Sequence, residues 1–425
     1  MVILSSRKSM NINKSRRPTF QAIFYDALRA VNGARCTERF LQNHPTSGDV
    51  CMIAIGKAAC SMASGACSVL GERVRDGLVI TKYGNHVPPL GCGLTMLEAG
   101  HPVPDQYSLE AGQQLLDLLQ RLPPTTELLF LISGGTSALA EVLPDSSMIS
   151  QLARLNSWLL QSGLPIAAIN AIRKRVSCIK GGRLAQYLSG RKTTVLLLSD
   201  VQGDDPAVIG SGLLFPSNAM SNHVDEEALP DDILHMLHKA PSMPDANDPC
   251  FNNITWKIIA SLQQAMDAAN MSAEKYGYQT VAHDEYLQGD AIQSGKRIAQ
   301  IMQEQPGKLH IWGGETTVTL PENPGKGGRC QSLALSAAIS LCDVNDWCLL
   351  AAGTDGDDGV SGAAGACVDT HSFAQAMSKL GDGGKIVNYL SNADAGSFFE
   401  LSGDLIKTGS TGTNVTDLVF GFCSG

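Results

Sequence analysis

The stretch that decides the fold is VCMIAIGKAACSMASGACSVLG, residues 50–71. Six apolar residues, Val50 to Ile55, lead into Gly56-Lys57 and then into an Ala- and Ser-rich segment of helical character. A continuous apolar run, rather than an alternating one, suits a strand buried on both faces, as in parallel sheets covered by helices. The unit recurs. ELLFLISGGTSALAEVL (127–143) gives a strand, Ser133-Gly134-Gly135 and a small-residue helix. TTVLLLSDVQGDDP (193–206) ends its strand in Ser199-Asp200, and DWCLLAAGTDGDDG (346–359) ends in Gly353-Thr354-Asp355. LHIWGGETTVTLPENPGKGGRCQS (309–332) opens as a strand and stops at Gly313-Gly314-Glu315. Segments of helical period lie between, such as SMISQLARLNSWLLQSG (147–163) and NITWKIIASLQQAMDAANM (253–271). Strands alternating with helices predict an α/β protein with largely parallel sheets.

A chain of 425 residues is long enough for two or three domains, each with its own core. The Pro-, Asp- and Asn-rich stretch over 216–253 marks the connection between two α/β domains, 19–245 and 246–425, behind a basic tail over 1–18. That tail carries five Lys or Arg and no acid, which reads as a frayed end in preference to a transit peptide. The net charge of −9 and an aromatic content of 5% argue against general nucleic-acid binding. No apolar run reaches the roughly 18 residues of a membrane span. Twelve cysteines are dilute at this length and show no C-x-x-C, so reduced thiols and a cytoplasmic location are expected.

In α/β sheets ligands collect outside the carboxyl ends of the strands. Lys57, Ser133-Gly134-Gly135, Asp200, Gly313-Gly314-Glu315 and Asp355 all stand at such ends. Neither G-x-G-x-x-G nor G-x-x-x-x-G-K-[ST] is present, so hydride transfer and P-loop chemistry lose their usual support. Gly-Gly turns at strand ends can aim several amide groups at a phosphate, and could equally be ordinary tight turns. The acidic loops at Asp200 and Asp355 could hold Mg²⁺ with phosphate oxygens, although Asp-Gly turns are common without an ion. NAIRKRVSCIKGGRLAQYL (170–188) gathers Arg173, Lys180 and Arg183, a basic patch interrupted by glycines that suits an anion. His101, in AGHPVPD, is the best-placed histidine, with a structural role in the turn as the other reading.

Together these motifs resemble the class II glycerate kinases, the DUF4147/MOFRL family, members of which were often labelled hydroxypyruvate reductases. The resemblance runs from about 20 to 420 and rests on AIGKAA, GHPVPD, LISGGTSAL, NAIRKRVSCIKGGRLA, LLLSDVQGDDPAVIGSG, GGETTVTL with GKGGRCQ, AAGTDGDDG with AAGACVD, and GSTGTNVTDL, in the family's order. It implies a Rossmann-like N-terminal domain, a C-terminal MOFRL domain and an active site in the cleft between them. It also implies ATP- and Mg²⁺-dependent phosphorylation of D-glycerate to 2-phosphoglycerate, with the important lysine at Lys57 and the important arginine at Arg329. Self-association into a homo-oligomer stays open. The residue reading adds Asp200 and Asp355 for Mg²⁺, the Ser133 to Gly135 and Gly313 to Glu315 turns for the nucleotide, and Arg173, Lys180 or Arg183 for the glycerate carboxylate. Where the family usually has Asn and then Gln-Glu after the arginine, this chain has Cys330, Gln331 and Ser332, so Cys330 and Ser332 depart from it, as Leu213-Leu214 depart from its usual Pro-Thr. Those departures keep a weakly active binding relative in play, beside an NAD(P)H-dependent hydroxypyruvate reductase.

Overall fold

The computed structural model describes residues 15–424 except 47, 86–91, 146, 147, 163, 165, 218–225, 227, 228 and 381–383. Most of the basic tail, residues 1–14, lies outside the described residues.

The first sheet contains β1 (Val50–Ile55), β2 (Val74–Lys82), β3 (Thr95–Ala99), β4 (Glu127–Ile132), β5 (Thr193–Leu198) and β6 (Ile254–Ala260). Their order is β3-β2-β1-β4-β5-β6, and every pairing is parallel. This is the doubly wound order, whose direction of winding reverses between β1 and β4. Helices cover both faces. Met52 and Ala54 enter one apolar core while Cys51, Ile53 and Ile55 enter the other, which is why the run is apolar at every position.

The second sheet contains β7 (Gln279–Ala282), β8 (Lys308–Gly314), β9 (Trp347–Gly353), β10 (Gly365–Asp369), β11 (Leu405–Ile406) and β12 (Asp417–Cys423), in the order β11-β10-β9-β12-β8-β7. The α/β class holds, but this sheet is mixed, with β7–β8 its one parallel pairing. The last strand, β12, runs between β8 and β9 in the opposite direction. Strands buried on both faces have apolar runs whichever way they point, so the pattern that predicted parallel sheets recorded burial and not direction.

Three further expectations change. The stretch at 253–271 is not all helix: its first half is β6, and the helix begins at Leu262. The boundary at 245/246 therefore falls short of the first sheet, which extends to Ala260. The first described helix also belongs to the other lobe, because Arg17–Ala30 packs on β9, β10 and the Leu262–Lys275 helix. Arg16 closes a two-point ion pair on Asp346 and lies 4.2 Å over the Phe422 ring, and Arg17 pairs with Asp404 at 2.8 Å. The end of the tail is thus docked, not frayed. Among the cysteines expected to be reduced, Cys67 is bonded to Cys92. No described helix is long and apolar enough to cross a membrane.

Candidate active site

The switch point of the first sheet is built by two loops stitched together. Lys57 N–H donates to the Gly134 carbonyl at 2.8 Å, and Ala58 N–H donates to Ser133 Oγ at 3.0 Å. Thr136 Oγ1 donates back to the Ile55 carbonyl at 2.9 Å. Gly56 allows this approach, since at φ 130° a Cβ there would sit 2.6 Å from the Ser133 carbonyl oxygen. Ser133 and Thr136 are fully buried and hold the loops together. The amides of Gly134 and Gly135 make no hydrogen bond among the described residues and remain as donors. The helix expected after them is a single turn, Thr136–Leu139.

The second sheet faces this point with the ends of β8 and β9. Lys57 Nζ, from the first sheet, donates to Asp355 Oδ2 of the second at 2.7 Å, and Lys82 pairs with Asp357. Asp200, at the end of β5, accepts from Asn414 Nδ2 at 3.2 Å. Arg329 opens the Arg329–Ser340 helix and forks onto Asp417, Nε to Oδ2 at 2.6 Å and Nη2 to Oδ1 at 3.0 Å, while Nη1 reaches Glu315 Oε1 at 2.9 Å. Two cations from opposite sheets therefore meet a group of carboxylates. Burial works against the Lys57 ammonium, but Asp355 outweighs it and holds the pKa above the ordinary lysine value. Burial likewise opposes the Asp355 carboxylate, and Lys57 holds that group below its ordinary value. Desolvation pushes Asp200 up to about 6, with Lys57 opposing and Glu315 and Asp355 adding to the rise. Glu315 is raised by desolvation against the pull of Arg329.

The glycines before Arg329 do not form a phosphate cradle. A Cβ on Gly327 would lie 2.9 Å from Gly396 N, and one on Gly328 would meet Asp358, so both serve close packing. Asp358, buried, accepts from Cys330 N–H and Gln331 N–H at 3.0 and 2.8 Å and fixes the start of the helix. Cys330, Gln331 and Ser332 are buried on the inner side of that helix, and Leu213 and Leu214 lie in the first domain's core. The departures from the family pattern thus face interior packing and not the cleft.

The three basic residues at 173–183 separate. Arg183 spends its guanidinium on the carbonyls of Pro241, Lys174 and Lys180. Lys180 is buried against Glu141. Arg173 has no hydrogen-bond or ion-pair partner among the described residues, and desolvation lowers its pKa. Arg173 and Lys180 line a cavity of about 180 Å³ with His101, Gly135 and Ser137. Desolvation, then the Lys57 charge, lowers the His101 imidazole to about 4, so it stays neutral there.

On the other side of Asp200 lies a cavity of about 250 Å³, between the end of β5 and the second sheet. Asn414, Thr416 and Asp417 were not singled out from the sequence. Asp417 starts β12, and only because that strand is antiparallel does its beginning stand beside Gly314 and Gly353, at the ends of β8 and β9. The one signal was an acid flanking the apolar run at 418–422. Thr416 is β-branched yet sits at φ 72°, a conformation that costs about 1–3 kcal/mol and concentrates at functional sites.

Residues 19–237 match the domain described as DUF4147, a domain of unknown function, and residues 308–417 match the MOFRL family. A D-glycerate 2-kinase of Thermotoga maritima is 38% identical over 385 residues, covering 88% of this chain and 90% of that one. An Agrobacterium vitis protein provisionally named hydroxypyruvate reductase is 36% identical over 391 residues, covering 87% and 98%. The crystal structure of a glycerate kinase from Thermotoga maritima superposes with a TM-score of 0.81 at 34% identity, covering 96% of this chain and 99% of that one. Fold, cleft and relatives define a two-domain α/β kinase. The chain belongs to the DUF4147/MOFRL family of glycerate kinases.

Proposed function

We propose that this protein transfers the γ-phosphoryl group of ATP to D-glycerate, giving 2-phosphoglycerate, with Mg²⁺ in the site. The observation that carries the reading is the convergence of Lys57 and Arg329, from opposite sheets, beside a small cavity whose Arg173 has no partner among the described residues. Phosphoryl transfer asks for in-line positioning and neutralisation of charge, more than for covalent catalysis. Lys57 and Arg329 supply that charge where the transferred group passes. Asp417, 6% exposed, anchors the guanidinium, whereas Glu315, 47% exposed, is the partner that phosphoryl oxygens replace at little cost.

Arg173 takes the glycerate carboxylate, which relieves its unpaired, desolvated charge. Lys180 faces the same cavity and supports it through its pair with Glu141, while Arg183 braces the segment from behind. The free amides of Gly134 and Gly135 lie between this cavity and the cation pair, suited to phosphate oxygens. Gly313, Gly314 and Glu315 close the opposite wall.

The carboxylates fit Mg²⁺. No described group of three or more His, Cys, Asp or Glu holds a metal by itself, but Mg²⁺ in kinases commonly takes one or two carboxylates plus phosphates. Desolvation raises both Glu315 and Asp200, neighbouring carboxylates add to each rise (Asp417 and Asp355 at Glu315, Glu315 and Asp355 at Asp200), and a cation would relieve that repulsion. When bound, Mg²⁺ would neutralise phosphate charge. Asp200, with its raised pKa, is also the group suited to accept the hydrogen bond of the acceptor hydroxyl.

The test is a parallel assay of the purified chain. One arm takes D-glycerate with Mg-ATP, the other hydroxypyruvate with NADH or NADPH. ADP and a phosphoglycerate in the first arm alone is the expected result, with the carbon-2 ester read by NMR. Turnover in the second arm alone would replace the kinase with the reductase.

A further inference from the structure

The two cavities flanking the cation pair differ in charge, and the difference assigns their occupants. The 180 Å³ cavity carries Arg173 and Lys180 and suits an acid. The 250 Å³ cavity has no Lys or Arg among its described lining residues. It offers apolar surface from Leu262 and Met266, the rings of His283 and Tyr286, and the carboxylates of Asp204, Asp284 and Glu285. Such a lining disfavours a polyphosphate and welcomes a flat heterocycle with sugar hydroxyls, which donate to carboxylates.

We infer that this cavity binds the nucleoside of the phosphoryl donor, with the phosphates emerging past Asp200 toward Lys57 and Arg329. The inference rests on the kinase reading above. Four observations support it. Asp200 lines the cavity and also touches the loop that holds Lys57: a Cβ on Gly134, whose carbonyl accepts from Lys57 N–H, would meet the Asp200 carboxylate, so the cavity lies next to the reaction centre. The His283 ring is backed by the buried Trp312, 4.5 Å away and within 8° of parallel, which holds it rigid as a stacking surface. Tyr286 lines the cavity, and its phenol is close enough to Glu315 and Asp417 of the reaction centre for their charges to add to the rise caused by burial. Thr416, 4% exposed, also lines the cavity, with its hydroxyl beside the Tyr286 phenol, so the two form a polar pair in the cavity wall. A donor or acceptor on the nucleoside can engage that pair. The volume is below the roughly 300–1,000 Å³ of pockets that enclose a drug-sized ligand, in keeping with one end of a nucleotide and not the whole.

The test uses initial rates of the full chain with Mg-ATP and D-glycerate, and calorimetric titration with Mg-ADP. Gln263 stands on the exposed side of its helix at the rim, so Gln263→Trp obstructs the cavity with little burden on the core. It is expected to raise the KM for ATP and the Kd for Mg-ADP at least about tenfold, with the KM for D-glycerate changed less than about twofold. Thr416→Val keeps the β-branch and removes the hydroxyl that lines the cavity beside Tyr286; a several-fold rise in the Kd for Mg-ADP is expected. Arg173→Gln is expected to do the reverse, raising the KM for D-glycerate alone. An unchanged Kd for Mg-ADP in Gln263→Trp overturns the assignment, as does a rise in both KM values together or a wild type that does not bind Mg-ADP. A wild type that binds Mg-ADP, loses it in Gln263→Trp, and leaves D-glycerate untouched supports the nucleoside cavity and removes only the acceptor.

Discussion

At His101 a single ring connects burial, a neighbouring cation and pH. Desolvation, then Lys57 and Lys82, lowers its pKa from 6.5 to about 4. Between those values the unfolded chain binds a proton at this residue that the native chain does not. Stability from this site is therefore complete above about pH 6.5 and is lost progressively as pH falls toward 4. Asp200, raised to about 6, contributes with the opposite sign over part of the same range. A comparison with His101→Gln isolates the histidine: from pH 7 to pH 5 the urea midpoint is expected to fall less, or rise more, in the variant than in the wild type. Equal differences in the two proteins would remove the buried, neutral histidine from the account. His101 was legible as a candidate because it sits in a glycine- and proline-bounded turn, but its environment was not, since Gly135 and Lys57 arrive from other strands. Lys57, Asp200 and Asp355 were legible by a simpler rule, that polar residues at the ends of buried strands have few structural uses. Arg183 obeyed the look of an anion site and serves backbone carbonyls instead, which residue type alone does not reveal.

Among the elements, the loop after β4 gives the most specific test. Gly134 has no positive φ to explain it; what it lacks is room, because a Cβ would meet the Asp200 carboxylate and the Asn414 amide. Both are ends of side chains that can swing away, so Gly134→Ala should fold with a near-normal melting temperature. The displaced Asp200 should lower kcat by about a hundredfold, the scale of a misplacement near 1 Å. Retained kcat would show that the Asp200 position is not used in the reaction. The parallel order around β1 and β4 was legible because its runs are apolar on both faces and end in glycine. The direction of β12 was not, since interior burial erases the alternation that distinguishes sheet types. That one reversal hid Asp417, the anchor of Arg329.

The whole molecule places its chemistry between two sheets whose strand ends face each other. Lys57–Asp355 and Lys82–Asp357 cross that gap. The 407–416 loop crosses it too: Asn32 Nδ2 donates to the Thr411 carbonyl at 3.1 Å, Thr413 Oγ1 to the Val31 carbonyl at 2.7 Å, and Asn414 to Asp200. The Arg17–Ala30 helix, the first described, covers the second sheet, so the second lobe is not a contiguous segment and a single cut near 245 does not separate the two. Domain number and the shared cleft were legible from the recurring strand-end motifs; the crossing of the chain between lobes was not, because helix composition does not name the sheet a helix will cover. The central claim is that Lys57 and Arg329 act together, from opposite lobes, on the phosphoryl group in flight. The measurement is the single-turnover rate of transfer from Mg-ATP to D-glycerate in the wild type, Lys57→Ala and Arg329→Ala. Each substitution is predicted to slow the chemical step by about 100- to 1,000-fold, the range for losing one preorganised charge-stabilising group, with Mg-ATP affinity changed less than about tenfold. A variant of either residue that transfers phosphate at the wild-type rate would contradict the account.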